Sequence, residues 1–446
     1  MIQAEPTMQT APQPVSFLAA VRYWLKLGLI SFGGPAGQIA MMHSELVEKR
    51  RWISERRFLH ALNYCMVLPG PEATQLAIYI GWLMHKTRGG IVAGALFVLP
   101  SLVILIALSW IYLVYGSLPV VAGILYGIKP AVVAIVLAAC RRIGKRTLKN
   151  VWLAAIAILA LIAIAVLHLP FPFIVLGAAL CGIVGGRLAP DQFDATGAHD
   201  AAVISYGPAL IDDDTPPPAH ARFTWLRLLR SSAIGIVLGI AAWLVLAVAC
   251  GMQSPLTRMG LFFSKAALLT FGGAYAVLPY VVQGAVEQAH WLTPAQMIDG
   301  LALGETTPGP LIMIVTYVGF LGGWQTASSA LALNAIAGAC VATFFTFLPS
   351  FIFVLAGGPM VEATRGEVRL TGPLSAISAA VVGVIASLAL FFAQQVFRLG
   401  LEWRHWDFAA MAICAGAAIA LLRFQIGTIK VILSCAIGGL VVSYLP

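Results

Sequence analysis

Leu68-Pro69-Gly70-Pro71-Glu72 interrupts an apolar segment of membrane-spanning length, and its reading decides the fold. Proline removes a backbone donor and clashes with the preceding turn, and glycine loosens the chain, so two prolines around a glycine leave peptide groups without intrahelical partners. At membrane depth such groups survive only inside protein or beside a water-filled cavity. A second copy, Thr307-Pro308-Gly309-Pro310-Leu311, stands in the other half of the chain.

The surroundings set the class. A chain of 446 residues that is 60% hydrophobic and 10% charged, with mean hydropathy +0.92, lies outside the soluble range. It reads as an all-α polytopic membrane protein embedded in a lipid bilayer. The net charge of +9 does not point to a nucleic acid, because Lys and Arg gather in short loops between apolar runs. The seven cysteines are scattered through apolar segments without a C-x-x-C pair or a nearby His cluster, so they read as packing residues. No metal site and no cofactor is expected. No phosphate-binding G-x-x-x-x-G-K-[ST] motif supports ATP hydrolysis, and the polar first sixteen residues, without Lys or Arg, do not make a cleavable signal peptide.

Apolar segments near 17–43, 58–83, 90–114, 118–140, 150–168 and 171–186 are followed by others near 232–250, 258–283, 297–320, 326–356, 371–395, 408–422 and 425–444, thirteen in all. Between the sets, residues 187–224 carry Asp212-Asp213-Asp214 and Pro216-Pro217-Pro218 and read as a flexible, solvated linker. A shift of 239 positions superposes Lys26 on Lys265, Phe32-Gly33-Gly34 on Phe271-Gly272-Gly273, Trp52 on Trp291 and Pro69-Gly70-Pro71 on Pro308-Gly309-Pro310. After an insertion in the second copy, Pro100-Ser101 matches Pro349-Ser350. The expected organisation is a first repeat at 1–186, a cytoplasmic linker at 187–231, an inverting transmembrane helix at 232–250 and a second, inverted repeat at 251–446.

Loop charge supplies the inversion, because cytoplasmic loops are rich in Lys and Arg. First-copy loops hold Lys49, Arg50, Arg51, Arg56 and Arg57, then Lys86 and Arg88, then Arg141, Arg142, Lys145, Arg146 and Lys149. Their second-copy counterparts at 284–296 and 321–325 hold none, and 396–407 holds only Arg398 and Arg404. Conversely, loop 115–119 is uncharged while its counterpart at 357–370 carries Arg365 and Arg369. The N-terminus is expected in the cytoplasm and the C-terminus in the periplasm. Cytoplasmic loops on both sides of 58–83 require that segment to enter and leave on one side, as a re-entrant hairpin folded at Pro69-Gly70-Pro71, and the segment broken at Phe32-Gly33-Gly34-Pro35 is expected to do likewise.

The glycine pairs Gly33-Gly34 and Gly272-Gly273 admit either of two readings. One is an anion cradle, in which peptide N–H groups and the positive end of a half-helix face an oxyanion; the other is tight helix crossing. Their recurrence under the repeat favours the cradle. Lys26 and Lys265 precede the glycines by seven residues; each is a candidate anion contact, with snorkelling to the interface as the alternative for Lys26. Glu72 follows the first break and Glu305 precedes the second, and both are candidate proton carriers, with helix capping as the alternative for Glu72. Gln75, Thr74, Thr306, Thr307 and Thr316 could add hydrogen bonds to an oxyanion. Trp52 and Trp291 read as interface anchors.

The run from Phe32-Gly33-Gly34-Pro35-Ala36-Gly37-Gln38-Ile39 to Leu68-Pro69-Gly70-Pro71-Glu72-Ala73-Thr74-Gln75-Leu76, with Phe271-Gly272-Gly273 and Thr307-Pro308-Gly309-Pro310 in a second copy, resembles the chromate ion transporter family in its long, two-domain form. The likeness covers nearly the whole chain. It implies a bacterial inner-membrane exporter that moves chromate out of the cytoplasm, with Phe32, Phe271 and the matched Gly and Pro residues at the substrate site, and with a homodimer as a candidate assembly. A carrier of sulfate or another oxyanion is the alternative from the same class. The alternative from a different class is an intramembrane enzyme using Glu72 and Glu305 as an acid–base pair, for which the chain offers no nucleophile–base motif. The second copy departs from the first, with Ala274 where Pro35 stands and no acidic residue after Pro310.

The hairpin reading makes a direct prediction. In a cysteine-free background, Lys86→Cys and Arg88→Cys stay unlabelled by an impermeant maleimide added outside and react with it inside; labelling from outside contradicts the hairpin.

Overall fold

Helix follows helix along the chain, as apolar runs without strand alternation require. The computed structural model describes residues 12–32, 34–193, 206–216, 218–271, 273–327, 330–363, 371–398 and 405–444; among these the only extended pairing is an isolated parallel bridge between Ile53 and Ile211. In the first half, α1 (Phe17–Ile30), α2 (Gly34–His43), a π-helical turn (Ser44–Lys49), α3 (Glu55–Val67), α4 (Glu72–Tyr115), α5 (Pro119–Thr147), α6 (Val151–Ala165) and α7 (Phe171–Leu188) succeed one another. The short α8 (Pro190–Phe193) and the long α9 (Trp225–Cys250) follow. Then the series recurs as α10 (Pro255–Leu268), α11 (Ala274–Val282), a second π turn (Gln283–Gln288), α12 (Pro294–Thr306), a 3-10 turn (Leu311–Met313) running into α13 (Ile314–Gln325), α14 (Leu331–Ala363), α15 (Thr371–Phe397), α16 (Phe408–Leu422) and α17 (Thr428–Tyr444).

The recurrence reaches into local geometry. Ser54 and Thr293, 239 apart, cap α3 and α12 by accepting the N–H groups of Arg57 and Gln296. Arg51 and His290 are both left-handed at that spacing, and so are Gly34 and Gly273, and Gly70 and Gly309. Further on the spacing becomes 257: Asn150 and Asp407 cap α6 and α16, and His168 and Gln425 are left-handed. The insertions of the second copy therefore fall between helices.

Among the described residues six helices, α4, α5, α7, α9, α14 and α15, have the length and apolarity to cross a membrane, but α4 does not run straight. At His85 (φ −130°, ψ 32°) and Lys86 (φ 56°) the chain reverses. A Cβ on Gly81 would stand 2.6 Å from the Gly89 carbonyl oxygen, whereas a straight helix separates residues eight apart by about 12 Å. Limbs 72–84 and 87–115 thus lie side by side, backbone to backbone. In the second copy α13 and α14 do the same, with Gly319 against the Gly338 carbonyl and Gly323 against that of Asn334.

The residues between the halves show where these limbs end. The described part of 187–224 is a docked strap and not the solvated tether expected from its composition. Leu210 and Ile211 donate to the carbonyls of Arg51 and Trp52 at 2.9 and 3.1 Å, and Ser54 donates through its backbone to Ile211 at 3.0 Å and through its hydroxyl to Asp213 at 2.6 Å. Asp212 is consumed locally, accepting from Ala209 and Asp213. Farther on, His220 pairs with the Trp82 carbonyl at 3.0 Å, while His85 pairs with that of Val15 at 2.9 Å. Residues 15, 51–54, 82–85 and 211–220 therefore share one face. Helices α1 and α2 with the π turn that follows, and likewise residues 55–84, both leave from that face and return to it.

The second limb of α4, 29 residues or about 43 Å of helix, leads away from that face. Its far end, Tyr112 to Ser117, lines a cavity with Gln296 at the start of α12, and Gln296 accepts from Gln325 at the end of α13 at 3.1 Å. The hairpin α12–α13 hence enters from the opposite face. Between the halves, α9 begins at Trp225, earlier than the 232 expected, and presents Leu226, Ile234, Val237 and Val245 on its exposed surface. Trp52 and Trp291, expected as interface anchors, are instead buried at 5% exposure, where their N–H groups close the π turns onto Leu46 at 2.7 Å and Ala285 at 2.8 Å.

Gly309 has φ 107°, and a Cβ there would collide with the side chain of Ser101. Gly309→Ala is expected to lower stability by roughly 1–3 kcal/mol from the backbone alone, read as a lower unfolding temperature in detergent. Ser101→Ala in the same chain should recover only part of the loss; full recovery would show that the backbone conformation costs nothing.

Candidate functional site

Each Pro-Gly-Pro tip is held by the other half of the molecule. The Gly70 N–H donates to the Thr270 carbonyl at 2.7 Å, and the Gly309 N–H donates to the Ser31 carbonyl at 2.7 Å. These are the same bond twice, since Ser31 corresponds to Thr270 and Gly70 to Gly309. The Ser101 hydroxyl, one residue after Pro100 of α4, donates to the Pro308 carbonyl. Its counterpart Ser350, after Pro349 of α14, sits against Gly70 and accepts from Gln75 at 3.4 Å. Gln75 also donates to the Pro69 carbonyl at 2.7 Å, and Gln38 to the carbonyls of Gly309 and Ser31. Pro71 and Pro310 stand at the starts of the next helical segments, where a missing N–H costs nothing.

The clamps leave polar atoms over. The side-chain oxygens Ser31 Oγ, Gln38 Oε1, Thr74 Oγ1 and Gln75 Oε1 are fully buried and have no hydrogen-bond partner among the described residues. Such atoms normally face water or a ligand. Beside them α2 starts at Gly34 and α11 starts after Gly273; both glycines have positive φ, and a Cβ on either would meet nothing within 4 Å. Two helix N-termini with bare backbone and open space beside them form an arrangement suited to an anion. Gly33 and Gly272 lie outside the described residues; Phe32 and Phe271, next to them, are half-buried.

The carboxylates differ as their unequal positions suggested. Glu305 accepts a hydrogen bond from Tyr275 of α11, a residue with no tyrosine counterpart in the first copy, where Ala36 stands. Arg142 of α5 acts electrostatically on both. Glu72, first residue of α4, feels Arg146 one turn farther along α5, and Arg146 also reaches Met66 of α3 at 3.8 Å. Both carboxylates are enclosed by protein yet only half-buried. The Thr306 and Thr307 hydroxyls donate back to the Leu303 carbonyl at 3.0 and 2.7 Å, and Thr316 pairs with Thr343, so none offers its proton to a ligand here. Lys26 and Lys265 are exposed on α1 and α10. Lys26 lines a cavity of about 190 Å³ with Tyr23, Glu45, Lys49 and Arg50, in which hydrogen bonding from Lys49 holds the Glu45 carboxyl below its usual range.

Two buried charge clusters escaped the sequence reading. Arg57 of α3 pairs with Glu362 of α14 at 3.2 Å, both under 7% exposed, and Glu362 also accepts from Tyr79. Arg57 donates further to the Thr215 carbonyl of the strap at 3.1 Å. Near the opposite face, Lys129 of α5 lies 3.5 Å from Asp299 of α12, which also accepts from Tyr112 at 3.0 Å. Arg57 was visible only as a loop charge, and the pairs join residues far apart in sequence. Among the described residues no group of His, Cys, Asp and Glu could hold a metal ion.

The sequence profile of a family described as "Chromate transporter" matches residues 18–183 and again 257–440. Similar proteins include the chromate transport protein of Pseudomonas aeruginosa, 34% identical over 399 residues that cover 87% of this chain and 84% of that one. The chromate transport protein of Cupriavidus metallidurans is 28% identical over 88% of this chain and 86% of its own. An uncharacterized transporter of Methanocaldococcus jannaschii is 24% identical over 94% and 92%. No solved structure matches.

Removing one partner of a buried ion pair costs about 3–5 kcal/mol, whereas replacing both by apolar residues is often neutral. Arg57→Ala should therefore sharply lower the unfolding temperature in detergent, and Arg57→Met with Glu362→Leu should restore most of it. An unchanged unfolding temperature in Arg57→Ala would contradict the pair.

Proposed function

Because the chain belongs to the chromate transporter family, we propose that it exports chromate from the cytoplasm across the bacterial inner membrane, by alternating access between its inverted repeats. The strap face is the cytoplasmic one on this reading, since the Lys- and Arg-rich loops gather there. The observation that carries the proposal is the pair of cross-clamped tips, with unpartnered buried oxygens beside two open helix N-termini. A tetrahedral dianion spreads its charge over four acceptor oxygens, for which backbone N–H groups and the Ser31 and Thr74 hydroxyls are suitable donors. Pro69, Gly70, Pro71, Pro308, Gly309 and Pro310 shape the site, Gln75 and Gln38 steady it, and Lys26 and Lys265 draw anions towards the two faces.

Movement of a dianion outward needs no ATP motor. An inside-negative potential favours it by about 2.3 kcal/mol per charge per 100 mV. Protons taken up in exchange would add to the drive, with Glu305 and Glu72 as carriers inside the membrane. Sulfate transport is a second reading with a specific basis: a cradle of backbone donors senses charge and tetrahedral shape, which sulfate shares with chromate.

Everted membrane vesicles should accumulate radiolabelled chromate only when the protein is present, and excess sulfate should compete weakly. Competition at equal concentration would turn the assignment to sulfate, and no accumulation would refute export. Glu305→Gln and Lys265→Ala should each abolish chromate resistance in cells while the protein remains in the membrane; normal resistance in both would remove them from the mechanism.

A further inference from the structure

At the face opposite the strap, α4, α5 and α12 enclose a cavity of about 330 Å³ lined by Tyr112, Ser117, Lys129, Gln296 and Asp299. Asp299 is 3% exposed. One of its oxygens, Oδ2, faces Lys129 at 3.5 Å and Tyr112 at 3.0 Å, and the other, Oδ1, is buried without a hydrogen-bond partner among the described residues. A buried carboxylate oxygen without a donor is costly unless a proton or a donor reaches it. The adjoining cavity gives water that access.

The repeat shows what is special here. Gln296 and Asp299 correspond to Arg57 and His60 of the first copy, and Tyr112 and Leu113 to Val361 and Glu362. The same four positions therefore meet at both faces, joining a hairpin of one half to the long helix of the other. At the strap face the contact is a closed Arg57–Glu362 ion pair with His60 on the Val361 carbonyl at 3.2 Å, roofed by Thr215. At the opposite face the cation comes from α5, the contact borders a cavity, and the carboxylate is half satisfied.

We propose that Asp299 is the acceptor of the coupling proton on the outer face, and that its protonation releases α12 from Lys129 and Tyr112 so that the hairpin α12–α13 can move. The inference rests on the proton-coupled form of the transport reading. Hydronium in the outer cavity gives its proton to Asp299 Oδ1, the carboxylate becomes a neutral acid, and Lys129 loses its counter-charge. After the hairpin has moved, the proton leaves to cytoplasmic water and the ion pair forms again, so one proton enters per cycle as the dianion leaves. The groups acting on Asp299 are Lys129 of α5, Tyr112 of α4 and Tyr317 of α13. Of the other elements packed on α12, α15 and the 3-10 turn hold no titratable residue, and α17 holds Lys430, Cys435 and Tyr444, none of which acts on it.

The test uses the full chain in proteoliposomes and two readouts: chromate movement driven by a pH gradient, and chromate–chromate counterflow without one. Asp299→Asn should lose the gradient-driven movement and keep counterflow, while Asp299→Glu keeps both. Retained gradient drive in Asp299→Asn overturns the proposal, as does loss of both activities in a protein that unfolds at the wild-type temperature. If Asp299→Asn does not fold, Tyr112→Phe should displace the pH midpoint of driven transport, and an unmoved midpoint overturns the proposal. Wild-type protein with counterflow but no response to the gradient overturns this inference alone; wild-type protein without counterflow refutes the transport reading and this inference with it.

Discussion

A peptide N–H at membrane depth must be given an acceptor, and the two glycine N–H groups at the Pro-Gly-Pro tips find theirs in the carbonyls of Thr270 and Ser31. Much else follows from that pair of bonds. Each acceptor lies at the broken end of a helix belonging to the other half, so neither half could bury its tip alone. The Pro308 carbonyl is met in the same crossed manner by Ser101, whereas the Pro69 carbonyl is met from its own half by Gln75, which also donates to Ser350 of the other half. Crossing of the two halves is what lets identical breaks satisfy each other. Breaks that were fully satisfied would be structural and nothing more. The unpartnered oxygens of Ser31, Gln38, Thr74 and Gln75 mark where satisfaction stops, which is why the proposed ligand site is placed there.

The two halves share a scaffold but not a chemistry. Helix α11 is buried along nearly its whole length and packs on α15, while its counterpart α2 buries only Gln38 and Met42. Helix α12 packs on α5 and α15, and α3 makes no comparable contact. The first half supplies one glutamine to each tip, Gln75 to Pro69 and Gln38 to Gly309, and the second half has Val277 and Ile314 at the matching positions; the Tyr275–Glu305 pair belongs only to the second. Differences of this kind make the two faces unlike, one sealed by a buried ion pair under a strap and one opening on a cavity.

Much of this was legible in the sequence because breaks and charges are local signals. Proline and glycine announce an interrupted helix wherever they stand, and the Lys- and Arg-rich loop at 49–57 is the one on which the strap docks. Helix caps and left-handed residues then recurred at the offset already visible in Pro-Gly-Pro. Pro100-Ser101 and Pro349-Ser350 were matched as a repeat, but that their hydroxyls reach the opposite tips depends on a kink and a crossing that no local pattern encodes. The strap was misread because three aspartates and three prolines look solvated; Asp212 instead closes its own turn and Asp213 meets Ser54, 159 residues away. Arg57 with Glu362 and Lys129 with Asp299 were missed for the same reason: their partners are distant in sequence, and each charge alone resembles an ordinary loop or interface residue. Trp52 and Trp291 followed the membrane-interface pattern in composition but serve to close π turns in the interior.

The central claim is that the tips and the open starts of α2 and α11 together hold a tetrahedral dianion. An anomalous diffraction map from crystals of the full chain soaked in selenate, whose selenium scatters where sulfate and chromate would bind, locates that dianion directly. A peak within hydrogen-bond distance of the backbone at Gly34 or Gly273, beside Ser31 or Thr74, is the predicted result. A peak confined to the exposed lysines, with none at the tips, would contradict it.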